Sequence, residues 1–172
     1  MIRSATLDDC EAISAIFNAA LRTTTSVYAY VEETVDDRRQ WLLEKQKANL
    51  PVIVEERKGQ VVGFATYGSF RSRPAYHYTA EHSVYVAVPW RRQGIGEALL
   101  VAIIEEARRH DLKTLVGGID SANTESVALH LKHGFVYRGT LPQVGYKFGR
   151  WLDLSFYTLE LPGPKHPEEK SS

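Results

Sequence analysis

The stretch from Val84 to Leu100 constrains this chain more than any other. Val84-Tyr85-Val86-Ala87-Val88 is apolar and rich in β-branched residues, as a buried strand requires, and Pro89 ends it. Trp90-Arg91-Arg92-Gln93-Gly94-Ile95-Gly96 is a glycine-punctuated turn. Glu97-Ala98-Leu99-Leu100 then begins a segment with apolar residues at helical spacing. The reading is a strand, a tight loop and a helix N-terminus. The first helical turn has backbone N–H groups with no partner inside the helix, at the positive end of the dipole. Gly94 and Gly96 carry no side chain, so the backbone can approach a bulky anion. The segment suits a phosphate or pyrophosphate.

Two better-known phosphate loops are excluded by their own spacing. A P-loop needs Gly-x-x-x-x-Gly-Lys-Ser/Thr, and Gly96 is followed directly by Glu97-Ala98 instead of Lys-Ser or Lys-Thr. A dinucleotide fingerprint needs a third glycine where this chain has Leu99. The segment itself reads Arg-x-x-Gly-x-Gly, from Arg91 to Gly96.

The rest of the chain reads as one α/β (α+β) unit over residues 1–161 without repeats, and 172 residues suffice for a single core. Met1–Ala5 is a short strand. Thr6-Leu7-Asp8-Asp9 and Thr34-Val35-Asp36-Asp37 are capping boxes, each opening a helix. The first helix puts Ile13, Ile16, Phe17 and Ala20 on one face, and the second carries Trp41, Leu42 and Leu43. Strands follow at Val52–Glu55, Val61–Phe70 and Thr79–Val88, then a helix from Gly94 to His110. Leu115–Ile119 is a strand, and Asn123–His133 is a helix closed by Gly134. Phe135–Leu141 and Leu152–Leu161 are the last strands, and the polar tail 162–172 is expected to be disordered.

Lys+Arg and Asp+Glu number 21 each, so the net charge is zero. That argues against a nucleic-acid or anionic-membrane binder. The single cysteine, Cys10, cannot form an internal disulfide and reads as a small core filler, which fits a reducing compartment. No stretch approaches the roughly 20 apolar residues of a membrane span, and Met1–Ala5 lacks a signal-peptide core. A cytoplasmic enzyme is expected. The six histidines lack a metal-ligand spacing, so no metal is expected.

A second motif lies downstream. Asn123-Thr124-Glu125-Ser126 opens a helix that ends Leu129-His130-Leu131-Lys132-His133-Gly134-Phe135. It is similar to the Asn-x-x-Ser/Ala and Leu-Tyr-x-x-x-Gly-Phe segments of the GCN5-related N-acetyltransferase (GNAT) superfamily. Arg91–Gly96 resembles that superfamily's acetyl-CoA pyrophosphate loop. The resemblance implies the GNAT fold, a twisted, mixed, mostly antiparallel sheet of about seven strands flanked by helices. It departs at the tyrosine, where this chain has His130. Thr79-Ala80-Glu81-His82-Ser83-Val84-Tyr85-Val86, the run Arg138–Leu154 and the His130 substitution resemble the phosphinothricin acetyltransferase family more narrowly. That family acetylates small amino-acid analogues such as phosphinothricin, methionine sulfoximine and methionine sulfone, commonly as a homodimer with the pocket near the interface.

The resemblance implies roles residue by residue. Val84, Tyr85, Val86, Arg91, Arg92, Gln93, Gly94, Ile95, Gly96 and Glu97, with Asn123 and Ser126, would bind acetyl-CoA. A backbone N–H near Val86, where the strand bulges in the superfamily, would polarise the thioester carbonyl. The amine must lose a proton before it attacks, and Glu81 is the candidate base, directly or through a water. An ordinary carboxylate, with a pKa of about 4.3, is a weak base, so the pocket must raise it. His130 stands by analogy where a general acid would protonate the leaving thiolate. His82 faces the other side of the strand from Glu81 and reads as structural.

For the substrate, Arg71 and Arg73 follow the strand that ends at Phe70, and a guanidinium fork suits carboxylate, sulfonyl or phosphinate oxygens. Tyr28 and Lys147 are further candidates, as are Tyr30, Tyr76, Tyr78 and Arg150. Two alternatives stay open. One is an acetyltransferase acting on a protein N-terminus or lysine; the other is a CoA-binding module without catalysis.

Overall fold

The computed structural model describes residues 1–169. Among the described residues seven strands and four α-helices follow one another as β1 (Ile2–Ser4), α1 (Cys10–Thr23), α2 (Val35–Lys47), β2 (Val52–Arg57), β3 (Gln60–Ser69), β4 (Thr79–Val86), α3 (Ile95–Arg109), β5 (Thr114–Asp120), α4 (Thr124–Lys132), β6 (Val136–Lys147) and β7 (Arg150–Glu160). Short 3₁₀ turns lie at Leu7–Asp9, Pro74–Tyr76 and Val88–Trp90. The sheet order is β1-β2-β3-β4-β5-β7-β6. The β1–β2, β2–β3, β5–β7 and β6–β7 pairs are antiparallel, and β4–β5 is parallel. The sheet is therefore mixed and mostly antiparallel, as the resemblance implies. The chain forms two compact units, Met1–Tyr67 with Ser83–Ile103, and Gly68–His82 with the chain from Ile104 on.

In the first unit the expected faces meet. Cys10, Ile13 and Ile16 of α1, Leu42 of α2, Val52 and Val54 of β2 and Phe64 of β3 form one buried cluster. Cys10 is fully buried, and burial pushes its thiol up. Both capping boxes form. The Asp9 carboxylate accepts from the Thr6 backbone at 2.8 Å and from its hydroxyl at 3.1 Å, although the chain makes a 3₁₀ turn before α1 begins. The Arg3 fork reaches the two Asp9 oxygens at 2.7 and 2.9 Å and holds that carboxyl below the usual carboxylate range. Asp37 caps Thr34 in the same way.

Arg38 of α2 is an unexpected buried cation, 3 % exposed. Its guanidinium lies 4.5 Å from the Phe17 ring centre and 4.4 Å from that of Trp41, so two aromatic faces replace water around the charge. Glu33 is its ion-pair partner. The Asn18 amide brackets the Glu33 backbone, donating to its carbonyl at 2.8 Å and accepting from its N–H at 3.0 Å. The segment joining α1 to α2 is thus fastened beside α2.

In the second unit β7 pairs with β5 from Thr114↔Glu160 to Asp120↔Leu154 and with β6 on its other edge. The sequence predicts strands ending at Leu141 and resuming at Leu152. Instead β6 runs on to Lys147 and β7 begins at Arg150. The extension survives Pro142 because the ladder is irregular between Leu141 and Gly145. There Gln143 sits in the left-handed region (φ 54°), and its N–H donates to Asp153 at 2.8 Å. Phe148 and Gly149, both at positive φ, make the two-residue hairpin turn. Similarly, β4 stops at Val86 rather than Val88, because Val88-Pro89-Trp90 turns into a 3₁₀ helix. Residues 162–169 form no regular element, but Glu168 N–H donates to the Tyr78 hydroxyl at 3.0 Å. Residues 170–172 of the expected disordered tail lie outside the described residues. Among those described, no helix is long and apolar enough to cross a membrane.

Candidate active site

The glycine loop belongs to the first unit. Buried Ile95, 2 % exposed, anchors the start of α3, and Ala98 N–H closes the first turn on Gly94 O at 3.0 Å. Arg92 (φ 60°) and Gly94 (φ 76°) are both left-handed, which turns neighbouring N–H groups toward one side and suits an anion. Arg91 Nε donates to Val86 O at 3.3 Å and Gln93 Nε2 to Pro89 O at 3.2 Å, so the loop is tied to the end of β4. The two glycines differ. Gly94 is required by its backbone angle, whereas a Cβ built on Gly96 meets only Val86 Cγ2, at 3.6 Å. The fold has room for a side chain at 96.

Arg91, Arg92, Gln93 and Gly94 are exposed, and Val84, Tyr85, Val86, Gly96 and Glu97 are half-buried. The Tyr85 ring packs on Phe64, with centroids 5.0 Å apart, and edge-on to Phe17 at 5.7 Å. Tyr28 is exposed in the segment between α1 and α2.

The second unit holds Glu81, His82 and His130. Glu81 pairs in register with Val116 of β5. Its Oε1 lies 2.8 Å from where a Gly118 Cβ would stand, so the carboxylate crosses the strand over that exposed glycine. Burial pushes the Glu81 carboxyl above its ordinary value, and the Arg71 guanidinium partly opposes this. Arg71 and Arg73 are exposed on the loop after β3, where Arg71 lies 5.1 Å from the Phe70 ring centre.

His82 occupies the opposite face, as strand alternation predicts. Its Cε1 is 3.1 Å from a Cβ built on Gly117. Its Nδ1 donates to Val116 O at 2.8 Å, and its Nε2 lies 2.9 Å from His130 Nε2. His130, buried on α4, has its Nδ1 2.7 Å from Ser126 O and 3.5 Å from Ser126 Oγ. Burial pushes His82 down to about 3 and His130 downward as well. Glu81 and His130 thus stand on opposite faces of the β4–β5 ladder and do not form one dyad. The contact of His130 with His82 has no sequence signal, because it joins a strand to a helix 48 residues later.

Asn123 is the N-cap of α4, its Oδ1 accepting from Ser126 N–H at 3.1 Å. Lys147 is buried at the end of β6, its ammonium 5.0 Å from the Phe148 ring centre. Arg150 reaches Asp120 at 3.4 Å. Among the described residues no cluster of three or more His, Cys, Asp or Glu is placed to hold a metal.

The order of strands and helices, with a left-handed loop at the start of α3, is what the sequence resemblance implies. Residues 13–135 match the acetyltransferase (GNAT) family, and the chain belongs to that family. It is 42 % identical over 160 residues to an L-methionine sulfoximine/L-methionine sulfone acetyltransferase of Salmonella typhimurium, covering 93 % of this chain and 94 % of that one. It is 39 % identical over 147 residues to a phosphinothricin N-acetyltransferase of Alcaligenes faecalis, covering 85 % and 75 %. The structure of Salmonella typhimurium yncA with its cofactor acetyl-CoA superposes with a TM-score of 0.94 at 41 % identity, covering 98 % of this chain and 97 % of that one. This chain is an acetyl-CoA-dependent N-acetyltransferase.

Proposed function

We propose that this protein acetylates the amino group of a small amino-acid analogue of the methionine sulfone, methionine sulfoximine or phosphinothricin type. The observation that carries this is Glu81: its carboxylate stands over exposed Gly118, with Oε1 2.8 Å from where a Cβ there would sit, and burial raises it above the ordinary carboxylate range. Acetyl-CoA supplies the activated acyl thioester. The N–H groups around Arg92–Gly96, with Arg91 and Arg92, hold its pyrophosphate; Asn123 and Ser126 serve the pantetheine arm. Glu81 takes a proton from the substrate ammonium, directly or through a water, freeing the lone pair that attacks. The backbone N–H near Val86 stabilises the oxyanion.

Arg71 and Arg73 bind the substrate's carboxylate and its sulfonyl, sulfoximine or phosphinate oxygens, two at a time. Tyr28 and Lys147 complete the substrate contacts. The protein works in the cytoplasm as a homodimer. Exposed Val144, Tyr146, Phe148 and Trp151 on the β6–β7 hairpin support an interface, with Tyr146 and Trp151 stacked edge-on at 5.1 Å.

The test is steady-state kinetics with acetyl-CoA and methionine sulfone. Arg71→Ala raises KM for the amino acid roughly tenfold or more, as loss of a charge-assisted contact implies, and leaves KM for acetyl-CoA unchanged. Equal change in both would remove Arg71 from substrate binding.

A further inference from the structure

The two faces of β5 differ sharply at Gly117 and Gly118. A Cβ built on Gly117 meets the His82 and His130 rings at 3.1 and 3.3 Å, so that face is filled. Gly118 is exposed, and as the next residue of the strand it faces the opposite side. A Cβ built there lies 2.8 Å from Glu81 Oε1, 3.4 Å from Leu154 Cδ1 and 3.7 Å from Phe156 Cε1. One carboxylate oxygen, one methyl group and one ring edge thus converge on a single point above a residue without a side chain. Backbone strain does not account for the glycine, because Gly118 is not among the residues at positive φ.

The register shows how this floor is made. Gly118 stands opposite Phe156 of β7, and Asp120 stands opposite Leu154. Directly opposed residues of an antiparallel pair share a face, and so do residues two apart on one strand. Leu154 and Phe156 are therefore neighbours on the Gly118 side, and both are half-buried. The apolar floor is short. Asp120, at its far end on the same face, is buried and ion-paired with Arg150 at 3.4 Å.

We propose that Gly118, Leu154 and Phe156 form the subsite for the substrate's side chain and select an amino acid with a short apolar stem. The proposal rests on the reading of the substrate as a small amino-acid analogue whose ammonium gives its proton to Glu81. An α-amino acid carries its ammonium and its side chain on one carbon. A carboxylate beside a methyl and a ring edge, all within 3.7 Å of one point, matches that pairing. With the nitrogen toward Glu81, the first methylenes lie over Gly118 against Leu154 and Phe156, where leaving water is favourable. A side chain at 118 would take the place of those methylenes and push Glu81 aside as well.

Methyl NMR of leucine-labelled protein, with CoA present so that no acetyl group can transfer, reads the contact without turnover. Leu154→Met, close in volume, assigns the Leu154 methyl signals by their loss. Norleucine and methionine sulfone are expected to move those signals. Glycine, which has the ammonium and carboxylate but no stem, is expected to leave them in place. Signals unmoved by both stemmed ligands, moved equally by glycine, or moved by CoA alone overturn the proposal. The second readout is kinetic. Leu154→Ala raises KM for methionine sulfone about fourfold, the worth of one buried methylene, and leaves KM for acetyl-CoA unchanged. No change in either KM, or an equal rise in both, in a variant that melts like the wild type also overturns it. If no sulfone, sulfoximine or phosphinate is acetylated, the functional reading fails, while the norleucine shifts still decide the subsite. Should Leu154→Ala not fold, the methyl shifts decide alone.

Discussion

A methyl group at Gly118 should disable the proposed base while leaving the fold intact. The added Cβ would stand 2.8 Å from Glu81 Oε1, with Leu154 Cδ1 at 3.4 Å and Phe156 Cε1 at 3.7 Å as ordinary neighbours. Non-bonded heavy atoms are comfortable at about 3.5 Å, so the carboxylate must retreat by roughly half an ångström or more. It is the far end of a flexible side chain and yields by rotation, at a cost of about 0.5–1.5 kcal/mol. Replacing a strand glycine by alanine returns about 0.5–1 kcal/mol. The two nearly cancel, so the melting temperature is expected to shift by only a few degrees. A displaced catalytic group loses on the order of 10²-fold in rate, or about 2.7 kcal/mol of transition-state stabilisation. The assay pairs kcat from CoA-thiol release with thermal unfolding. Gly117→Ala is the control, because its Cβ meets His82 Cε1 at 3.1 Å and His130 at 3.3 Å on the other face. Those rings are buried and cannot rotate away, so this variant loses about 1–3 kcal/mol of stability. Gly118→Ala with wild-type kcat at unchanged stability would refute the placement of the base.

Two further outcomes follow from the same geometry. Glu81→Gln lowers kcat by about 10²–10⁴-fold, because the amide cannot accept the ammonium proton, and acetyl-CoA binding by calorimetry persists. In the wild type Glu81 must be ionised to act, and its pKa is raised, so kcat falls as pH drops through a value above the ordinary carboxylate range; the acidic limb is absent in the variant. Gly96→Ala gains about 0.5–1 kcal/mol of helix stability, since its Cβ sits in ordinary contact, yet raises KM for acetyl-CoA. A stabilised variant with unchanged KM would contradict the pyrophosphate role of the loop.

What could be read from the sequence was local. The loop from Arg91 to Gly96 and the boxes at Thr6/Asp9 and Thr34/Asp37 depend on residues within a few positions, and all formed as spaced. Alternation along β4 placed Glu81 and His82 on opposite faces before any tertiary information. The length of β6 was hidden because its outer half is exposed on both faces, so no period-two pattern marks it, and Phe148-Gly149 is not the Asn-Gly of a familiar hairpin turn. Arg38 is buried because its guanidinium lies over the Phe17 and Trp41 rings and Glu33 balances its charge, an arrangement assembled from separate elements. The histidine pair was hidden for the same reason: alternation gives a face but not the partner that a distant helix brings to it.

The most direct test of the central claim is CoA-thiol release from acetyl-CoA with the purified protein. The panel is methionine sulfone, methionine sulfoximine, phosphinothricin, the common amino acids, a polyamine, an aminoglycoside and N-terminal peptides. Release confined to the sulfone, sulfoximine and phosphinate compounds is the predicted result. Release with peptides alone would contradict it, moving the substrate to a protein N-terminus and taking Arg71 and Arg73 out of the substrate site.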